Sequence, residues 1–214
     1  MVATVTQGRK AVVYVSGTPT TLTTEPTTKI VPTPSVYQIT AATKRVLDPN
    51  FAQTQNWSLG PTGTITVNRL LGEFISTADE TTHTLTITGK YLPMAPLLYC
   101  HDFSLSIKPK ITDVTPFNQN FQSIMTDIND VTGTLSNFYD PTESAALTIA
   151  PYFNTQFIAN ATIAIELYVN ANLSLLAWAV ISGEDLKAAL DGVIDQTISW
   201  EGDADNEGRI LSRL

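Results

Sequence analysis

The stretch that decides the fold is FIANATIAIELYVNANLSLLAWAVIS, residues 157–182. It holds two long apolar runs, residues 157–169 and 173–182, which are rich in Ile, Leu and Val. The tripeptide Asn-Ala-Asn at 170–172 separates them, and asparagine favours turns because its short side chain can bond to the local backbone. Two apolar runs around such a turn indicate a hairpin buried near the core of a sheet.

The rest of the chain has the same β character. About 30 residues are threonine, whose β-branched and half-polar side chain suits a sheet with one wetted face. Further strands are predicted at residues 11–16, 36–47, 64–68, 73–76, 84–88, 97–107, 111–115, 131–139 and 193–200. The sequence therefore predicts a mainly β protein, a sandwich or barrel with one helix packed outside it.

One helix start is clearly marked. Asp140 can cap the helix, Pro141 suits its first position, and Glu143 stands at the capping-box position. These signals predict a short helix over Ser144–Ala150. Residues 184–191 (EDLKAALD) stay open between a helix by composition and a strand by context.

We expect a single domain spanning 1–214, with two segments outside its compact part. Residues 17–35 contain eight threonines and four prolines, and proline removes a donor from a strand ladder. That segment is predicted to be an extended arm or long loop. Residues 201–214 are predicted to be a loose acidic tail.

The charge distribution disfavours a nucleic-acid-binding protein. Twelve basic and 20 acidic residues give a net charge of -8, whereas gripping phosphates requires a basic excess. The charge is also unevenly distributed, since residues 1–110 carry a net charge of +3 and residues 111–214 carry a net charge of -11.

A single cysteine allows no internal disulfide. We find no signal-peptide pattern and no apolar run near the ~18 residues that a membrane span needs, so synthesis in a cytoplasm is expected.

No sequence pattern points to catalysis. A phosphate-binding glycine loop, a zinc-protease helix and a nucleophile elbow are all missing from the sequence. Cys100 and His101 are adjacent on a predicted strand, so their side chains point to opposite faces. We predict that the protein is not an enzyme and has no cofactor.

The acidic cluster Glu184, Asp185, Asp191 and Asp195 is either a weak divalent-cation site or, by default, a solvent-exposed face.

The three tryptophans divide into one core residue and two candidate contacts. Trp178 lies in the most apolar run and is assigned to the core. Trp200 ends a predicted strand, and Trp57 stands alone in a polar segment. Since tryptophan is enriched at interfaces, Trp57 and Trp200 are the candidate subunit contacts.

Several segments, in order along the chain, resemble the major tail tube proteins of long-tailed (siphovirus-type) bacteriophages. Each is weak alone, and their order carries the resemblance. The Thr/Pro-rich residues 17–35 match it poorly. The matching segments are VYQITAATKRVLDPN (36–50), TITVNRLLGEFIS (64–76), TITGKYLP (86–93), residues 101–115 ending in ITDVT, DINDVTGTLSNFYD (127–140) and residues 178–202 ending in ISWEG.

This resemblance implies a structural virion protein. Such subunits form hexameric rings that stack into a hollow tube through which DNA passes, and the inner sheets of neighbours join into one barrel. The implied partners are copies of the chain itself, the tape measure, terminator and tail tip proteins, and DNA in transit, with no membrane. The implied location is the virion tail, after synthesis in the host bacterium. An acidic lumen would keep DNA from sticking; the candidate lumen residues are Asp127, Asp130, Glu184, Asp185, Asp191 and Asp195.

Two other classes stay open at this point. One is another virion β-protein, a capsid decoration protein or a tail terminator, which would form closed trimers or one ring. The other is a glycan-binding module, for which exposed aromatic residues such as Trp57 and Tyr91 would be the evidence. Particle shape separates the first from a tube subunit, and glycan binding tests the second.

Overall fold

A computed structural model describes residues 12–31, 35–80, 82–97, 100–113, 124–139, 159, 161–170, 173–188, 194–204 and 211–213. Its strands are β1 (Val12–Ser16), β2 (Thr20–Val31), β3 (Ser35–Ile39), β4 (Thr54–Trp57), β5 (Ile65–Asn68), β6 (Glu73–Ser76), β7 (Leu85–Tyr91), β8 (Met94–Pro96), β9 (Cys100–Asp113), β10 (Ile124–Tyr139), β11 (Ile163–Asn170), β12 (Leu173–Ala188), β13 (Ile194–Gly202) and β14 (Leu211–Arg213). A 3-10 turn covers Ala42–Lys44.

The first sheet, called here the main sheet, has the strand order β8-β1-β11-β12-β13-β10-β9, with β14 beside β12. All its pairings are antiparallel. The sixteen-residue β12 belongs to both halves, because it pairs with β11 up to Ala179 and with β13 from Ala179 onward. The sheet curls around its own core, since Val13 and Ile165 from one half pack in one cluster with Leu135 and Ile198 from the other.

The second sheet forms an inserted lobe. Its order is β4-β7-β2-β3-β6-β5, and all six strands come from the continuous stretch 20–91, between β1 and β8. Because β1 and β8 pair with each other, the chain leaves the main sheet and returns at one place. There the Gly17 amide donates to the Pro93 carbonyl at 2.7 Å. The lobe has its own core, which includes Tyr37 and Phe74.

A third apolar cluster, the junction cluster, holds the lobe against the main sheet. Val46, Leu70 and Leu92 contribute from the lobe, and Ala164, Leu176 and Trp178 contribute from β11 and β12. All six side chains are buried. These residues face outward from the main-sheet core, so the lobe covers the outer side of the β11–β12 part of the sheet.

The predicted mainly β class and the buried hairpin are confirmed. Residues 163–169 and 173–182 of the two apolar runs belong to β11 and β12, which pair from Ile163 opposite Ala179 to Asn170 opposite Leu173. The open question at residues 184–191 is decided for strand as far as Ala188, because Glu184–Ala188 pair with β13. The helix predicted at 144–150 lies outside the described residues.

The arm predicted at residues 17–35 is instead a strand through most of its length. β2 pairs with β7 up to Pro26 and with β3 from Thr27 onward, so the proline sits where the partner changes. Because proline lacks a backbone N–H, its place at the change of partner removes few hydrogen bonds from either pairing. A register shift before Glu25, where Thr24 has φ 50°, absorbs the irregularity.

The tail predicted at residues 201–214 is also partly sheet. Glu201 and Gly202 end β13, and Leu211–Arg213 pair with Leu175–Ala177 of β12. Residues 205–210 lie outside the described part. No membrane-spanning helix is found in the portion of the chain that the structure describes.

Candidate functional surface

One face of the main sheet consists mainly of small hydroxyl side chains. It extends across β9, β10, β13 and β12, where the register sets Ser104 opposite Thr134 and Thr134 opposite Ser199. The Ser104 and Thr134 hydroxyls bond at 2.8 Å. We call this surface the hydroxyl face, made of Ser104, Ser106, Thr132, Thr134, Ser136, Ser182, Thr197 and Ser199.

Simple strand alternation produces this face. In β10 the residues Val131, Leu135 and Asn137 are buried, so Thr132, Thr134 and Ser136 between them point outward. Residues of β13 alternate in the same way. A shallow hollow of about 250 Å³ lies on the face and is lined in part by these hydroxyls.

The hydroxyl face is electrically negative. Five carboxylates share its side of the sheet against two lysines, Lys108 and Lys187, so the net charge of the described groups is -3 with His101 neutral. Such a surface repels phosphates and offers them few partners. The five acidic residues are Asp102, Asp130, Asp185, Asp195 and Glu201.

The structure brings together only part of the predicted acidic set. Asp130, Asp185 and Asp195 lie on the hydroxyl-face side, as their register positions require. Asp127 is in β10, but its side chain lies outside the described part, and so does Asp191. Among the described residues, no group of three His, Cys, Asp or Glu side chains is placed to hold a metal ion.

Glu184 lies apart from the other described members of the predicted set, because it is on the core side of the sheet. It stands opposite Ile198 in the register and accepts a hydrogen bond from the Gln196 amide. The Asn137 side-chain Nδ2 in turn donates to the side-chain Oε1 of Gln196 at 3.0 Å. Since Asn137 and Gln196 are buried, Glu184 belongs to a polar ladder across three strands rather than to the exposed face.

Sequence reasoning did not single out Asp102. Asp102 belongs to the basic half of the sequence, and only the pairing of β9 with β10 places it beside Ser136. His101 was also missed as a member of this surface. Its ring stacks on that of Phe138, with the ring centroids 4.6 Å apart, and its Nε2 lies 3.7 Å from Oδ1 of Asp195.

The two candidate contact tryptophans are placed differently. Trp200 is only 1% exposed and belongs to the main-sheet core, so its indole is not available to a partner of the folded subunit. Trp57 is in β4, at the edge of the lobe sheet. Its half-buried ring meets Tyr37 edge-on, with centroids 5.3 Å apart.

Cys100 and His101 form no catalytic pair. Burial raises the pKa of the Cys100 thiol to about 11, and its Sγ donates to the Asp102 carbonyl at 3.4 Å. A thiol with so high a pKa stays protonated at neutral pH and is a poor nucleophile.

A buried carboxylate in the lobe gave no signal in the sequence. Glu80 is fully buried, and its Oε1 accepts from the Thr62 and Gly63 amides at 2.7 and 3.0 Å and from the Ser76 hydroxyl at 3.0 Å. Burial alone would raise the pKa of this carboxyl, but these donors outweigh it and hold the pKa below its usual value. Its Oε2 lies 2.7 Å from His83 Nδ1. The Glu80 carboxylate therefore holds residues 62, 63 and 76 of the lobe together, and it is not part of the hydroxyl face.

Comparison with known proteins gives a structural likeness without a family match. No protein-family model matches the chain, and no curated protein matches it in sequence. Two similar solved chains come from gene transfer agent (GTA) particles, one described as the tail of an empty particle refined helically with C6 symmetry and the other as the virion of the native particle. Both are 8% identical with a TM-score of 0.43, and the overlap covers 56% of this chain and 85% and 88% of the others.

Proposed function

We infer that this chain is a subunit of a bacteriophage tail tube, in which the hydroxyl face lines the channel for DNA. The observation that carries the proposal is the hydroxyl face itself. The order of tail-tube-like segments along the sequence supports it independently.

A surface that DNA must slide past should offer few bonds to phosphate. Lysine and arginine supply most of that attraction, and small hydroxyls with interspersed carboxylates supply little. The hydroxyl face has two lysines against five carboxylates and small side chains over four strands. It also lies on the β9–β10–β13 side of the curled sheet, whereas the inserted lobe covers the outer side of the β11–β12 part. The lobe then belongs on the outside of the tube.

The free strand edges of the main sheet supply a way to form rings. Among the described strands, β9 ends the strand order and is fourteen residues long, and none of them pairs with its outer edge. The other end of the order is the three-residue β8 beside β1. Joining unlike edges of successive subunits is a head-to-tail contact, which closes into a ring when the rotation permits.

The far part of the β9–β10 hairpin supplies a way to stack rings. β10 pairs with β13 only from Thr132 onward, but its pairing with β9 continues to Ile124 opposite Asp113. In the part of the chain that the structure describes, this end is a two-stranded ribbon that extends beyond the pairing with β13. Because such ribbons are marginally stable alone in water, contact with the next ring would stabilise it.

Electron microscopy of the purified chain tests the proposal. Concentrated protein incubated for days should form six-fold rings or hollow tubes, and adding a tail-tip complex should speed their appearance. Closed trimers or a single unstacked ring would instead indicate a decoration protein or a terminator. A chain that stays monomeric at high concentration and also with the tip complex would refute a tube role.

A further inference from the structure

A cavity lies where the inserted lobe meets the main sheet. Its volume is about 340 Å³, at the lower end of the roughly 300–1,000 Å³ that ligand pockets occupy. Val46 and Leu70 of the lobe, Met94 of β8 and Leu176 of β12 form its apolar wall. The cavity is therefore apolar enough and large enough for a small organic molecule.

Two opposite charges line this apolar wall without pairing. Arg45 donates through Nε to the Ile39 carbonyl at 3.0 Å, and Glu166 accepts from the Ser174 hydroxyl. In the described part of the chain neither side chain belongs to an ion pair. Each charge thus keeps bonding capacity for a ligand, and partial burial makes a matched partner favourable.

The turn that carries Arg45 is set before any ligand arrives. Gly72 has φ 62°, and a Cβ there would lie 2.6 Å from the Arg45 carbonyl oxygen, so its backbone packs directly on that of Arg45. Gln38, which also lines the cavity, donates to the Leu71 carbonyl at 3.2 Å. A cavity whose polar groups are already oriented loses less free energy on binding.

We propose that this cavity binds a small zwitterion with an apolar body, of the chemistry of an apolar dipeptide. Its carboxylate pairs with the Arg45 guanidinium, its ammonium pairs with the Glu166 carboxylate, and its aliphatic side chains contact the partly exposed Leu71 and Met94. The fit rests on one charge of each sign at an apolar wall. The inference is independent of the tail-tube proposal.

Calorimetric titration of the full chain tests the charges separately. The probes are leucyl-leucine, its N-acetyl form without the ammonium, and its amide without the carboxylate. We expect leucyl-leucine to bind about tenfold or more tightly than either blocked form, as a charge-assisted bond in a partly buried site implies. The Arg45→Gln variant should lose the preference for the free carboxylate, and Glu166→Gln should lose the preference for the free ammonium.

A blocking variant keeps the test decisive if either charge variant folds poorly. Ala42 is exposed and lines the cavity, so Ala42→Trp should close it without removing a buried contact and should abolish binding. Ala52→Trp, also exposed but not in the lining, is the matched control and should bind normally. No saturable heat with leucyl-leucine, equal affinity for all three probes, or unchanged binding by Ala42→Trp would each overturn the proposal.

Discussion

Gly133 of β10 lies directly against the indole of Trp200 on β13. The two residues are register partners, and a Cβ at Gly133 would lie 2.4 Å from Trp200 Cζ2 and 2.5 Å from the Ser104 carbonyl oxygen. The indole fills the space that a side chain would otherwise take. This covering of a strand glycine by a neighbouring aromatic ring offsets the packing that glycine lacks.

The first prediction follows from that close approach. Gly133→Ala should destabilise the protein by about 1–3 kcal/mol, because the methyl group must displace a buried indole or a strand carbonyl. Urea denaturation of the isolated subunit measures the change. Gly60→Ala is the control, since a Cβ there meets nothing within 4 Å, and its stability should stay close to that of the wild type. Equal stability of the two variants would mean that the indole has room to move.

The second prediction concerns the buried carboxylate of Glu80. Because its pKa is lowered in the folded chain, it contributes stability above its unfolded-state pKa. That stability should decline as the pH falls through the unfolded and then the folded pKa. In Glu80→Gln the melting temperature should fall at neutral pH and should depend less on acid pH, as thermal melts from pH 7 to pH 3 would show.

Exposed Glu201→Gln is the matched control for this variant. It should leave both the melting temperature and its acid dependence nearly unchanged. A Glu80→Gln protein with the full acid dependence of the wild type would assign that dependence to other carboxylates.

The sequence predicts strands well where one face is buried and alternation is strict, as in residues 131–139 and 193–200. It fails at residues 17–35, because a strand that changes partner at Pro26 has no continuous pattern of its own. The many threonines there correctly favour a strand. The four prolines, however, led to the prediction of an arm or loop. Trp200 was predicted to contact a neighbouring subunit because it ends a predicted strand. In the structure its side chain is instead packed in the main-sheet core.

The candidate surface was predictable only in part. Its acidic residue Asp130 lies on β10, far in the sequence from Asp185 on β12 and Asp195 on β13, and register decides which face each one shares. Glu184 is one residue from Asp185 and lies on the opposite face. A one-residue difference in register exchanges the two faces, and sequence alone does not determine register across such connections.

The third prediction concerns the coupling between the lobe and the main sheet. Leu70 is buried in the junction cluster, so Leu70→Ala should cost about 2–5 kcal/mol and weaken the link between the two parts. Calorimetry should show one unfolding transition for the wild type and a broadened or divided one for the variant. Leu59→Ala, at a 58% exposed position, should melt like the wild type. A sharp single transition at lower temperature in Leu70→Ala would mean that other contacts couple the two parts.

The fourth prediction is that Cys100 reacts slowly. With a pKa of about 11, about one thiol in a thousand is ionised at pH 8, and only the thiolate attacks a disulfide reagent. The reaction rate of folded protein should rise about tenfold per pH unit up to pH 10, and unfolding in urea should greatly accelerate it. Rapid reaction of the folded chain at pH 7 would contradict this burial.

The fifth prediction tests the proposed lumen. In virions built with Asp130→Lys, Asp185→Lys and Asp195→Lys together, tubes should assemble but DNA ejection should slow, because each subunit then adds three cations to the channel surface. The slowing should weaken at high salt, where phosphate contacts are screened. The control carries three lysines at exposed lobe positions, Thr21→Lys, Thr54→Lys and Thr82→Lys, and should eject at the wild-type rate. Wild-type ejection through intact tubes of the first variant would place the hydroxyl face away from the channel, and slower ejection by the control would contradict the placement of the lobe outside the tube.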